Sequence, residues 1–156
     1  MTAVTPEHEH FGQAARRHRD DALHLHQSGR LPNADHLLGL GVECIIKSVL
    51  LDLSYAVAFN GAAPVLQNHP APGTTTRLQA HMSSLATTIS TFARGHGSIQ
   101  FVAAVDAANV AYTTWDISDR YRDGTHISEA DFQGRRTAAD AVYQAAQDSK
   151  LKQVLT

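Results

Sequence analysis

The residues of this chain best suited to chemistry are its histidines and arginines, and Arg77 and His81 stand at a spacing that could use both together. Four positions apart on a helix, their side chains would share one face. An imidazole moves protons to and from oxygen and a guanidinium steadies a phosphorane, and metal-free RNA cleavage needs both. A structural role competes with this: His81 can hydrogen-bond within a bundle or cap a neighbouring segment, and that reading is the favoured one.

A second group lies along the stretch Asn33 to Tyr55. On a helical projection Asn33, His36, Glu43, Lys47 and Ser54 form one polar stripe, while Leu37, Leu38, Val42, Ile45, Ile46, Val49 and Leu53 cover the rest. Glu43 and Lys47 are an i, i+4 pair with the acid first, the favourable order on a helix. Burial of that pair would cost desolvation and call for further partners, for which Arg120, Tyr121 and His36 are the candidates. Fixing helix register is the preferred role of this seam. Cys44, the only cysteine, reads as a small core residue, and a lone cysteine excludes an intrachain disulfide.

Other ligand-type clusters carry less. His8-Glu9-His10, and Asp20 and Asp21 with His24, match no established zinc signature, so no metal and no cofactor is expected. Gly95 and Gly97 lack the lysine and the preceding strand of a phosphate loop.

Helices must position these residues. Thr5-Pro6, followed by Glu7 and Glu9, starts a first helix that should stop at Gly29, with Phe11, Ala15, His18, Ala22 and Leu25 inward. A short link then leads into the apolar second helix, so the two should form an antiparallel hairpin. After Tyr55 the pattern decays, and prolines and glycines predict a long loop over about 59–74 with no strand. Leu78, Met82, Leu85, Ile89 and Phe92 recur at four-three spacing and predict a third helix from Arg77 to Ala93. A fourth begins near Ser98, with Phe101, Val105, Ala108, Tyr112 and Trp115 inward. Ser128 and Asp131 resemble a capping box that opens an alanine-rich fifth helix, Glu129 to Gln147, and a tail over 149–156 extends it or docks separately. The expected architecture is a single all-α domain over 1–156, an up-and-down bundle of about five helices.

Bulk properties agree. With 156 residues and 43% hydrophobic content, the chain can bury one core and is short for two. A net charge of −2 leaves no general electrostatic footprint for nucleic acid, and Arg16, Arg17 and Arg19 are the only local basic cluster. The apolar run from Leu37 to Phe59 contains Glu43, Lys47 and Asp52, at about 2.5–3.5 kcal/mol for each mid-membrane charge. No membrane span and no signal peptide are therefore expected, and the chain is assigned to the cytoplasm.

Taken together, Asp21-Ala22-Leu23-His24-Leu25, Asn33-Ala34-Asp35-His36-Leu37, Glu43-Cys44-Ile45-Ile46-Lys47, His81-Met82-Ser83-Ser84-Leu85 and Asp119-Arg120-Tyr121 resemble the HEPN family. These are higher eukaryotes and prokaryotes nucleotide-binding domains. The resemblance covers about Phe11 to Ala146. It implies a helical bundle that pairs as a symmetric homodimer with a cleft by the two-fold axis. Many members are metal-independent ribonucleases carrying an arginine followed, after four to six intervening residues, by a histidine, and others are inactive or partner nucleotidyltransferases in toxin-antitoxin pairs. Here Arg77-Leu78-Gln79-Ala80-His81 is one residue short of the catalytic spacing. Pairs that do fit it are Arg17 or Arg19 with His24, Arg19 with His26, Arg30 with His36 and Arg120 with His126, and since chance alone supplies about two, each carries little weight by itself. The expected function is a HEPN-like module that binds a nucleotide, an RNA or a partner protein through the polar seam. The alternative is a metal-independent endoribonuclease of the toxin or defence type.

Overall fold

In a computed structural model of the chain, the structure describes residues 7–54, 57–60, 63–66, 76–77, 81–93 and 99–155. Five helices build the architecture: α1 (Glu7–Gln27), α2 (Leu31–Ser54), α3 (Met82–Ala93), α4 (Ile99–Ala111) and α5 (Glu129–Leu155). A 3-10 turn, η1 (Ile117–Tyr121), lies between α4 and α5. The chain is an all-α bundle in its main elements, and the former tail residues to Leu155 continue α5.

Helix α2 is central because it is apolar on nearly every side. Ala34, Leu38, Val42, Ile46 and Leu50 are wholly buried, and α1, α3, α5 and η1 all pack on it. Each fully buried aliphatic side chain of this kind contributes about 1.5–3 kcal/mol. Helix α1 lies along it as a hairpin, with Ala15 and Ala22 buried in the seam. The turn between them is a Schellman motif: the Gly29 N–H bonds the His26 carbonyl at 3.0 Å and the Arg30 N–H bonds the Leu25 carbonyl at 2.9 Å. It requires the left-handed φ of +74° that Gly29 adopts, which a side chain would resist.

Two further glycines inside α2 exist for close approach. A Cβ on Gly39 would collide with the Trp115 indole, and one on Gly41 would lie 2.5 Å from the Tyr143 hydroxyl. That hydroxyl reaches past α2 and donates to the Ala15 carbonyl at 2.7 Å, tying α5 to α1.

The inward faces follow the expected periods. Met82, Leu85 and Ile89 of α3 are buried, as are Phe101, Val105 and Ala108 of α4, with Tyr112 and Trp115 beyond it. Ser128 and Asp131 form the capping box that starts α5: the Asp131 N–H donates to the Ser128 hydroxyl at 3.1 Å, and the Ser128 N–H to the Asp131 carboxylate at 3.1 Å.

Two expectations are corrected. The stretch after α2 contains a small antiparallel sheet rather than only loop: β1 (Val57–Asn60), β2 (Ala63–Leu66) and β3 (Thr76–Arg77), in the order β1-β2-β3. Asn60 pairs with Ala63, so two residues separate the paired ends, and a glycine as the first of the two is a hairpin signal in the sequence. Pro64, which has no N–H to give, falls where β3 does not pair. The rest of the expected loop, 61–62 and 67–74, lies outside the described residues. Helix α3 starts at Met82 and not at Arg77, which belongs to β3.

Candidate functional site

Glu43 organises the site. It sits on α2 at 3% exposure, and its carboxylate accepts the Met82 N–H at 3.1 Å. It therefore satisfies an N-terminal donor of α3 that a serine or aspartate cap would otherwise take. The His81 carbonyl accepts the Leu85 N–H at 3.0 Å, which makes His81 the residue from which α3 springs. The His81 Nδ1 lies 3.2 and 3.3 Å from the two oxygens of Glu43, while its side chain is 61% exposed. An ionised carboxylate only accepts, so Nδ1 donates to Glu43 and Nε2 is the ring nitrogen left for a ligand. Burial pushes the Glu43 carboxyl up; His81, Lys47 and the Met82 N–H pull it partly back.

His81 stands at the edge of a cavity of about 330 Å³. Met82 from α3, Asn109 from α4, and Tyr112, Thr113, Trp115, Asp116 and Ile117 from the following turn complete the lining. Asp116 caps η1: its Oδ1 takes the Ser118 N–H at 2.8 Å and the Ser118 hydroxyl, and these bonds hold its carboxyl below the usual carboxylate range. Its backbone N–H donates to the Asp119 carboxylate at 2.9 Å, which fixes the turn that carries it. The resulting surface combines one orientable imidazole, one ionised carboxylate, one amide and an apolar wall.

The polar seam expected from α2 is divided in space. Glu43 is buried, but its partners are His81 and Met82 in place of Arg120 and Tyr121. Arg120 and Tyr121 are exposed and stack on each other, the guanidinium 4.8 Å from the ring centre. Lys47 makes no ion pair with Glu43; its ammonium lies 5.7 Å from the centre of the Phe11 ring, a cation–π contact between α2 and α1. His36 stacks on Trp115 with ring centres 5.6 Å apart, and its buried Nδ1 has no hydrogen-bond partner among the described residues. Burial and the nearby Arg120 hold this imidazole below its ordinary value, against Asp119 and Asp35. Asn33 is exposed on the first turn of α2. Arg77, in β3, does not share a helical face with His81, so that expected geometry does not form.

A buried ion pair was not read from the sequence. Arg135 of α5 and Asp35 of α2 form an ion pair at 2.5 Å, with exposures of 5% and 1%. The guanidinium also donates to the Thr114 hydroxyl at 2.8 Å and the Ala111 carbonyl at 3.3 Å, and lies 5.6 Å over the Tyr112 ring. Burial still pushes the Asp35 carboxyl up, with Arg135 drawing it partly down. Both residues sit on inward periods: Phe132, Arg135, Ala139, Val142 and Ala146 are all buried on one face of α5. This pair fastens the end of α4 and α5 to α2, and so sets the floor behind Trp115. Asp116 was missed as well, hidden in a turn-rich stretch without periodicity.

A larger cavity of about 520 Å³ opens between α1 and α5. Its basic side chains are partly engaged: Arg19 is held by Asp140 at 2.9 Å and lies over the Tyr143 ring. Cys44 is half-buried, and burial pushes its thiol up, away from thiolate chemistry. Among the described residues no group of three histidine, cysteine, aspartate or glutamate side chains could hold a metal ion, and no helix is long and apolar enough to cross a membrane. Comparison of the chain with family models, with curated proteins and with solved structures finds no match.

Proposed function

We propose that this chain is a HEPN-like helical module, acting in the cytoplasm as a homodimer, that binds a nucleotide or a short RNA at the cavity beside His81. The observation that carries the reading is an exposed histidine whose ring is held by a buried carboxylate at the mouth of a pocket. A solvent-facing imidazole gains little stability from such anchoring. Orientation toward a ligand is the reason to immobilise it. The cavity volume, at the low end of the ~300–1,000 Å³ range of ligand sites, suits one nucleotide.

Chemical-shift mapping tests this reading. The ¹⁵N-labelled chain is titrated with the four ribonucleoside 5′-monophosphates and a short RNA. Shifts should cluster at His81, Asn109, Thr113 and Asp116 and vanish in His81→Ala. Absence of shifts, or shifts confined to the α1–α5 groove, contradicts the proposal. Light scattering at micromolar concentration checks the dimer, which a monomer peak would exclude.

One feature favours a second reading, the metal-independent endoribonuclease. With Nδ1 committed to Glu43, the Nε2 lone pair is available as a general base. Wild-type expression beside His81→Ala, followed by RNA integrity, separates the two. RNA loss that disappears in the variant supports the nuclease, and intact RNA in both removes it.

A further inference from the structure

On the nucleotide reading above, we infer that the pocket takes the nucleoside part of its ligand and turns the phosphate toward solvent, with Asp116 as the residue that sets this polarity. The lining argues for it. No lysine or arginine is among the described residues that form the cavity, whereas Asp116 is. Behind His81 stands a second carboxylate, Glu43, so the one basic ring is already matched by an acid. A phosphate placed here would meet the Asp116 carboxylate with no lysine or arginine among the described lining residues to offset it, and like charges at contact range weaken binding by roughly fivefold even in water.

Asp116 instead offers an acceptor. Its Oδ1 takes the Ser118 N–H and hydroxyl, the side chain also caps the Asp119 N–H of η1, and the carboxylate stays exposed at the cavity rim. An exposed carboxylate oxygen accepts a further donor well, such as a ribose hydroxyl or an exocyclic amine, and a charge-assisted bond of this kind is about twice as strong as a neutral one. The Asn109 amide can give and accept at the opposite side. Met82, Trp115 and Ile117 supply the apolar wall that a base needs. At about 330 Å³ the space holds a nucleoside and leaves a 5′-phosphate at the opening.

Calorimetric titration of the full chain tests this with adenosine, guanosine, cytidine and uridine, their 5′-monophosphates, and inorganic phosphate as competitor. Wild type is compared with Asp116→Asn, which keeps an oxygen for Ser118 and so preserves the cap of η1. The expected result is that at least one nucleoside binds as tightly as its monophosphate or tighter, and that phosphate does not compete. Asp116→Asn should weaken that nucleoside by about tenfold and shift preference toward the monophosphate. Monophosphates binding far more tightly than nucleosides, with phosphate competing, would overturn the orientation while leaving the nucleotide reading intact. Equal nucleoside affinity in wild type and Asp116→Asn would also overturn it. If neither nucleosides nor nucleotides bind, both readings fall.

Discussion

Replacing Arg135 by methionine should be among the costliest single changes available to this chain. Methionine keeps most of the aliphatic volume but removes the donors to Asp35, Thr114 and Ala111. Asp35 is 1% exposed and its Oδ1 already lacks a hydrogen-bond partner, so the variant leaves a buried carboxylate with neither oxygen paired among the described residues. Breaking a buried pair in this way costs about 3–5 kcal/mol, out of the ~5–15 kcal/mol that holds a domain of this size. At about 2–4 °C per kcal/mol, the melting temperature should drop by roughly 10 °C.

The pH dependence gives the argument a second handle. The folded Asp35 carboxyl titrates above its usual 3.8 because burial outweighs the help of Arg135, and without Arg135 it should rise further. An acid whose folded pKa is raised binds more protons in the folded state, so its penalty is present at neutral pH and is relieved as pH falls through the folded pKa. Urea unfolding followed by circular dichroism should therefore show the Arg135→Met deficit shrinking from pH 7 toward pH 4. Adding Asp35→Asn should recover part of the loss at pH 7, a coupling that separated sites would not display. A deficit under about 1 kcal/mol, or one that does not change with pH, would refute the reasoning.

Two further predictions use the same unfolding assay. Gly39→Ala drives a methyl into the Trp115 ring and should destabilise by about 1–3 kcal/mol, whereas Gly134→Ala, whose new methyl meets nothing within 4 Å, should stabilise by about 0.4–1 kcal/mol; equal effects at the two sites would contradict the packing. His36 titrates below its usual 6.5 when folded, so the stability it confers is complete above that pH and is lost as pH falls through the folded value. His36→Phe keeps a ring against Trp115 and should flatten the fall in stability between pH 7 and pH 5; an unchanged slope would count against a buried neutral imidazole.

Helix α2 was legible because its apolar residues recur at helical spacing on almost every side, a pattern that only a surrounded helix satisfies. The Gly29 stop and the Ser128–Asp131 box were legible for a local reason: their bonds span a few residues. Helix α3 was drawn a turn too long because Leu78 keeps the period of Met82, Leu85 and Ile89, while the β-branched run Thr74-Thr75-Thr76 ahead of it already favoured an extended chain. The first donor of α3 is capped by Glu43, 39 residues back along the chain, and no local pattern encodes such a partner. The same holds for Arg120 and Tyr121, whose types fitted partners of Glu43, while from η1 Arg120 comes near His36 and stacks on Tyr121. Arg135 was readable in retrospect, since it occupies a buried step between Phe132 and Ala139.

The most direct test of the account is the ring nitrogen spectrum of His81 in the ¹⁵N-labelled chain near neutral pH. If buried Glu43 holds the imidazole as described, Nδ1 should carry the proton while Nε2 remains open, and that preference should disappear in Glu43→Met. A wild-type ring protonated mainly at Nε2, or a tautomer balance indifferent to the loss of Glu43, would mean that the carboxylate does not aim this histidine.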